Sequence, residues 1–532
     1  MKSKIENLRI MKKSKYLQSP YLEIIIMVSA ILLSYFGLTV LSMVPEVPVQ
    51  DVMPTSSISL IILAFFLLSV AIAMISVIAG IGGGVIFTPL MLAFTNVDSL
   101  VIRGTGLLVA MFSGLISTGI FVKKGLGNFK LCITLALSQG FGALLGATLA
   151  VAAAKSTGEW GEGLMRAALG LILAMIAIYF FFGGKKSEWP VIKKIDKFTA
   201  QFKLGGTYYD EAEGEFHKYE VTRAPLGLLL LFFVGMIGGF FGMGGGWAIT
   251  PSLNIGMALP LKLAAANSGV ILGMGSCISI WPYIRAGSII PLFVLPWIAG
   301  QVIGGFIGSY TLARIKVKII RLILIGIMVF TAFGLITKGM NLLDLMGPVP
   351  ATVQMIVFAA IIMCIIVTVV MNNRKEKIWD EKKKIKEKAQ KPLPMYSIHI
   401  PTSQLVYANV MHWVTLTVSI VALFVPIFIL VNPANNILNP NLIFSAVFNG
   451  ASPNEIWALT DTGTFPGAHF YLQNIFMADS WAMLTINIGC AVGLLAVIPA
   501  ALIQFFKEKN ILNACLGTVM AVLILCALTG VF

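Results

Sequence analysis

Two stretches of the 532-residue chain carry the same residue types at the same offsets, GIGGGVIFTPLM at Gly80–Met91 and GMGGGWAITPSL at Gly242–Leu253. Three glycines in a row followed by Thr and Pro break a helix. Glycine adopts left-handed backbone angles and lets another group approach the main chain. A helix that restarts beyond the break presents unpaired N–H donors and about half a positive charge at its N-terminus. Two restarts, after Gly84 and Gly246, would form a cradle for an anion without a charged side chain. Gly82, Gly83, Gly84, Thr88 and Pro89, with Gly244, Gly245, Gly246, Thr250 and Pro251, are therefore candidate substrate-binding residues. The prolines are expected in the early turns, where a missing N–H costs least. A nucleotide-binding loop is the weaker reading, because no strand precedes either motif and no phosphate-binding lysine or ribose carboxylate follows.

The correspondence continues at a constant spacing of 162 residues. Ile116-Ser117 falls on Ile278-Ser279, Lys123 on Arg285, Gly125 on Gly287, Gln139 on Gln301, Gly142 on Gly304 and Gly146 on Gly308. The chain therefore contains an internal repeat. Gln139 and Gln301 join the candidates, because a buried primary amide is costly unless paired. Thr105, Asn267 and Ser268 are further polar candidates, and Ser117 and Ser279 fit a cavity wall and an interhelical hydrogen bond equally. Gly142/Gly146 and Gly304/Gly308 read as close helix contacts.

The elements that must position these residues are membrane helices. The chain is 58% hydrophobic and 11% charged, against about 25% charged in a soluble domain, and its mean hydropathy is +0.91. Apolar windows of about 20 residues recur, each able to cross a bilayer of about 30 Å. Crossings are predicted at 22–44, 58–79, 101–122, 129–153, 162–183, 225–241, 262–283, 288–313, 317–337, 350–371, 408–432, 480–505 and 511–531. The segments 80–94 and 242–258 are too short for ordinary spans. An extended stretch of about 3.3 Å per residue followed by a half-length helix at about 1.5 Å per residue would still cross. If both cross, 33 of the 38 Lys and Arg lie on one side and 5 on the other; if both return, the basic loop 184–224 lands on the wrong side. The positive-inside rule selects crossing. The two repeats then have opposite orientations, and paired Gly/Pro-interrupted segments in inverted repeats point to a midplane transport site. The expectation is an all-α polytopic plasma-membrane protein with a cytoplasmic N-terminus and an external C-terminus.

No acidic residue falls within the repeated core crossings except Glu162 at the start of one, so an intramembrane carboxylate relay is not expected. The nearby charges are Arg103, Lys262 and Arg285. Arg103 and Lys262 are candidate site residues with two readings open, attraction of an anion or snorkelling to the interface. The net charge of +15 is the loop bias of a membrane protein rather than a nucleic-acid surface. The six cysteines lie apart in apolar segments and the four histidines are scattered. No metal site, cofactor motif or catalytic constellation is expected, which weighs against an enzyme.

The doubled GxGGG…TP pattern, each followed by a small-polar element (RGTG at 103–106, AANS at 265–268), resembles the TauE/SafE family of membrane permeases over about 58–340. The resemblance implies an inverted-repeat transporter of small sulfur-containing anions such as sulfite or organosulfonates. It also implies that the Gly-Pro elements are the broken helices and that Thr105, Asn267 and Ser268 are the polar positions beside them. The expected organisation is a basic N-tail and anchoring helix (1–50), repeat 1 (56–183), a cytoplasmic loop (184–224), repeat 2 (225–371), a basic cytoplasmic linker (372–407) and a three-helix membrane extension (408–532). The extra first helix, the loop 184–224 and the extension depart from the common family pattern. The expected partners are a small inorganic or organosulfur anion and the lipid bilayer, with no nucleic acid, and a homo-oligomer is left open. A channel, and from another class a receptor or enzyme, are the rival readings.

Overall fold

The computed structural model describes residues 22–43, 52–154, 159–350 and 400–531, apart from breaks within 189–194, at 203, 212–214 and 315–316, together with scattered positions from 352 to 367. The basic N-tail, the linker 374–391 and most of the expected crossing 350–371 lie outside the described residues.

The described residues are helical almost throughout. An N-terminal helix α1 (Leu22–Ser42) leads to α2 (Thr55–Ala79), the short α3 (Gly84–Phe94), α4 (Ser99–Lys123), α5 (Phe129–Ala153) and α6 (Glu159–Glu188). A connection follows with α7 (Lys197–Phe202) and an antiparallel hairpin of β1 (Gly206–Asp210) and β2 (Glu215–Tyr219), in which Tyr208 pairs with His217. The second repeat is α8 (Ala224–Phe240), α9 (Gly246–Pro251) running into one π-turn (Ser252–Gly256), α10 (Leu261–Ser279), α11 (Trp281–Arg285), α12 (Pro291–Arg314) and α13 (Val317–Leu342). The extension is α14 (Thr402–Val431), α15 (Pro440–Phe448), α16 (Pro453–Ala458), α17 (Ala478–Phe506) and α18 (Ile511–Thr529). Among the described residues eight helices are long and apolar enough to cross a membrane. The fold is the expected all-α polytopic one, with a Gly-broken helix in each repeat, an extra N-terminal helix and a three-span C-terminal extension.

Two features differ from expectation. The second half-helix is six α-helical residues and a π-turn, not a ten-residue helix. The connection between repeats, expected only as a charged loop, is tied in place by the hairpin and by Asp196. Burial works against ionisation of Asp196, but hydrogen bonds from the Thr199 hydroxyl, the Thr199 N–H and the Arg223 N–H outweigh it and hold its pKa at about 2.

The repeats interleave. α5 packs against α8 and α12 against α2. The glycines at offset 162 make both contacts: a Cβ on Gly142 or Gly146 would strike the carbonyls of Phe232 or Met236, and on Gly304 or Gly308 would meet Val70 or Met74. These glycines are thus close-packing devices. The antiparallel sense of the repeats is visible at their ends. α4 starts at Asp98, which caps its first turn, and ends at Lys124 beside the hairpin. α10 starts beside the hairpin at Lys262, and its continuation α11 ends at Arg285, on the Asp98 side. The extension covers the Asp98 side: Asn441 holds the start of α2 through Met53 and Thr55, Trp457 Nε1 donates to Gly287 O at 2.8 Å, and Arg285 Nη1 donates to Ala527 O at 3.0 Å.

Candidate functional site

The two broken segments cross each other in the middle of the interleaved repeats. Gly80 and Gly82 have φ of 69° and 72°, and Gly242 and Gly244 both have φ of 66°, so the left-handed turns recur at the same offset. The turns close identically: Gly80 N–H to Val77 O and Ile81 N–H to Ser76 O on one side, Gly242 N–H to Gly239 O and Met243 N–H to Gly238 O on the other. Each motif then holds its partner. The Thr88 hydroxyl donates to Gly242 O at 3.1 Å, and the Thr250 hydroxyl donates to Gly80 O at 2.7 Å. Carbonyls freed by unwinding are satisfied here by the other repeat, as burial in an apolar medium demands.

The glycines divide into two kinds. A Cβ on Gly80 would collide with the main chain of Ala265, on Gly242 with that of Arg103, on Gly84 with Gly106 O, and on Gly246 with Ile81 O. These positions admit neighbouring backbone. A Cβ on Gly82 or Gly244 would press on Leu272, a side chain at the centre of the crossing. Gly83 and Gly245 face amides instead: Gln301 lies against Gly83, and Gln139 Nε2 lies 3.0 Å from a Cβ on Gly245. Gln301 Nε2 donates to Ser69 O and Oγ, leaving Oε1 without a partner among the described residues; neither amide atom of Gln139 has one there. Trp247 Nε1, on α9, Trp297 Nε1, whose ring packs 4.6 Å from Phe87 of α3, and Ser268 Oγ are also buried without partners among the described residues. An unmade bond costs about 1–3 kcal/mol per buried group, so a cluster beside both breaks calls for an explanation. Indole N–H groups only donate, and the Gln139 amide offers two donors; Gln139, Trp247 and Trp297 are matched to an acceptor such as an oxyanion, whereas the free atom of Gln301 is itself an acceptor.

The remaining sequence candidates lie elsewhere or are spent. Pro89 and Pro251 are each the sixth residue of their helices, beyond the early turns expected for them. The missing N–H of Pro89 releases Val85 O, which the Thr331 hydroxyl approaches at 3.5 Å. Pro251 ends α9 where the π-turn begins. The Thr105 hydroxyl bonds Val101 O of its own helix at 2.7 Å. Asn267 is occupied on every side: Nδ2 donates to Leu126 O and Leu263 O, and Oδ1 accepts from Asn128 N–H and the Cys132 thiol. It pins the turn after α4.

Arg103 and Lys262 stand at opposite mouths of the core. Arg103 and Arg285 line a cavity of 560 Å³ with Asp98, Phe240, Asn454 and Phe465, the last two supplied by the extension. The Arg103 guanidinium lies 5.2 Å from the Phe240 ring and 5.9 Å from that of Phe241, positions suited to cation–π attraction. Asp98 is engaged by Leu100 N–H and Val101 N–H. At the other mouth Lys262 Nζ is 2.6 Å from Asp210 Oδ1 of the hairpin, both buried, while Glu211 binds Lys124 at 2.8 Å and Arg314 at 3.4 Å. Burial pulls the Lys124 pKa down despite Glu211. Sequence reasoning missed Trp247, Trp297 and the Asp210–Glu211 pair. The tryptophans have no repeat counterpart, whereas the adjacent acids in a basic connection were a signal that could have been used.

A family profile described as "Sulfite exporter TauE/SafE" matches residues 65–335, and a second family profile without a descriptive name matches 403–531. A probable membrane transporter protein, YunE, of Bacillus subtilis (strain 168) is 26% identical over 268 residues, covering 49% of this chain and 92% of its own length. A crystal structure of the manganese transporter of Eremococcus coleocola, in complex with an aromatic bis-isothiourea substituted compound, aligns over 87% of this chain and 93% of its own at 10% identity. The TM-score of that alignment is 0.16.

Proposed function

Since the chain belongs to the TauE/SafE sulfite exporter family and is a multi-pass membrane transporter, we propose that its cargo is a small oxyanion, with a sulfur oxyanion or organosulfonate as the favoured class, carried by alternating access. The observation that carries this reading is the excess of cations at both ends of the repeat core: Arg103 and Arg285 beside Asp98 at one mouth, and Lys124, Lys262 and Arg314 against Asp210 and Glu211 at the other. Between them lies the crossing, where Gln139, Trp247 and Trp297 offer N–H groups unpartnered among the described residues and the half-helices begin. A cation pathway would want a buried carboxylate there. In this reading the cargo's oxygens pair with the amide and indole donors while the repeats exchange exposure around them. The hairpin mouth is cytoplasmic and the Arg103 mouth external, because that assignment puts 33 of 38 basic residues inside. Gln139 binds cargo through its amide N–H groups; Arg103 attracts it.

The test is flux through purified protein in liposomes with sulfite, thiosulfate, sulfate, sulfoacetate and chloride, each with and without anion on the trans side. Saturable flux of a sulfur oxyanion, stimulated by trans anion, is expected. Non-saturating flux without trans stimulation would make the protein a channel, and absence of any anion flux would overturn the anion assignment.

A further inference from the structure

Each mouth of the core carries cations, but the two are filled differently. Arg285 follows Lys123 by the repeat spacing of 162, while Arg103 is the fifth residue of α4 and Lys262 the second of its repeat counterpart α10. Apart from Lys123 and Arg285 these cations have no basic counterpart at the repeat spacing, yet the fold gathers a cluster at each end: Arg103 with Arg285, and Lys124 with Lys262 and Arg314. At the Arg103 end the cluster opens onto a cavity of 560 Å³. At the opposite end the equivalent place holds two carboxylates that belong to neither repeat.

We propose that Lys124, Lys262 and Arg314 form a second oxyanion site, at the hairpin mouth, whose occupant in this conformation is the chain's own Asp210–Glu211 pair, and that a small free oxyanion competes with those carboxylates for it. This rests on the anion reading above and adds a site and a device to it. Three observations carry it. The cations come from three elements, the end of α4 in one repeat and α10 and α12 in the other, so the site exists only where the repeats meet. The carboxylates reach it from outside, on a hairpin that belongs to neither repeat and is seated through buried Tyr208 and through Asn128, whose Nδ2 donates to Leu204 O and to the Tyr219 hydroxyl. The innermost pair, Lys262–Asp210, has 0% and 1% side-chain exposure. A cation removed from water that completely requires an anionic ligand, and a carboxylate has the charge and two-oxygen geometry of the oxyanion class. The hairpin thus closes one mouth with a substitute for the cargo, while the other mouth, under the extension, keeps a cavity beside its cations. Release on the hairpin side requires Asp210 and Glu211 to withdraw, and binding there requires the anion to displace them.

Two measurements on the full-length protein test this. First, trypsin cleavage after Lys218, an exposed side chain on β2, is followed in detergent with sulfate or with chloride at equal ionic strength. Sulfate should accelerate cleavage of the wild type about three-fold over chloride, because it competes for partly exposed ion pairs. Second, Glu211→Gln, at a partly exposed position that spares the buried Lys262–Asp210 pair, is compared with Lys124→Gln in sided liposomes. Glu211→Gln should lower the half-saturating anion concentration on the hairpin side about three-fold, and Lys124→Gln should raise it about three-fold, with the Arg103 side unchanged in both. Equal cleavage in sulfate and chloride, with Glu211→Gln leaving hairpin-side saturation unaltered, would reduce the ion pairs to a structural tie and overturn the proposal. The cleavage assay needs no transport. Sulfate-specific cleavage in a protein that moves no anion would refute the transport reading and keep the site, whereas anion flux with neither the sulfate effect nor the Glu211→Gln shift would refute the site alone.

Discussion

Gly245 and Gly246 are neighbours in sequence, yet the crossing assigns them opposite tasks, and alanine at each tells the tasks apart. A Cβ on Gly246 would fall well inside 3.0 Å of the carbonyl carbon and oxygen of Ile81, and neither strand of backbone can turn aside. The crossing would have to open. Opening it strains the Thr88–Gly242 and Thr250–Gly80 bonds, each worth about 1 kcal/mol, and overpacks a dense core at about 1–3 kcal/mol. The expected cost of Gly246→Ala is about 3–5 kcal/mol. At Gly245 the nearest atoms to a Cβ are Ile249 Cδ1 at 2.9 Å, Gln139 Nε2 at 3.0 Å and Ile249 Cγ1 at 3.2 Å, all on side chains that can move. Its φ of −87° suits alanine. Gly245→Ala should therefore cost less than about 1 kcal/mol while pushing the Gln139 amide out of place. Unfolding of each variant in mixed detergent–SDS micelles, beside anion flux in liposomes, measures both quantities. Gly246→Ala should lose folded protein, and Gly245→Ala should remain folded and lose most of its flux. Equal stability of the two variants would refute the backbone-crossing account of the motif. Normal flux through a folded Gly245→Ala protein would remove Gln139 from the pathway.

The reciprocal threonines make a coupled pair. Thr88→Val and Thr250→Val should each destabilise by about 1–3 kcal/mol, since a buried carbonyl loses its donor, and the double variant should cost less than the sum by at least about 0.5 kcal/mol, because both bonds hold one crossing; strict additivity in the same micelle unfolding experiment would contradict this. Asn267→Asp should act on the fold rather than on charge selection. It replaces two donated bonds, to Leu126 O and Leu263 O, by contact of a carboxylate with two carbonyls, at about 3 kcal/mol or more. A stable Asn267→Asp variant whose anion flux returns on acidification would instead place this residue on the solute path.

The class of the protein was legible in the sequence because apolar length and loop charge are local properties of the chain. Runs of about 20 apolar residues have few folded outcomes, and the 162-residue offset tying Gly80 to Gly242 and Gln139 to Gln301 survives in the order of residues alone. The opposite direction of the repeats followed from counting crossings, and the ends of α4 and α10 bear it out. Which group each residue touches was decided only in three dimensions. Thr88 reaches Gly242 across 154 positions, and Thr250 reaches Gly80 across 170; no periodicity encodes such a contact, because it depends on two breaks crossing at one depth. The same holds for Asn267, a polar residue beside a break in sequence but in space a clamp on the turn after α4. Lys262 looked like an isolated cation near the site until folding brought Asp210 to it from 52 residues away. Sequence spacing fixes what can repeat. Partnership across the core is fixed by interleaving, which pairs each repeat's glycines with the other repeat's backbone.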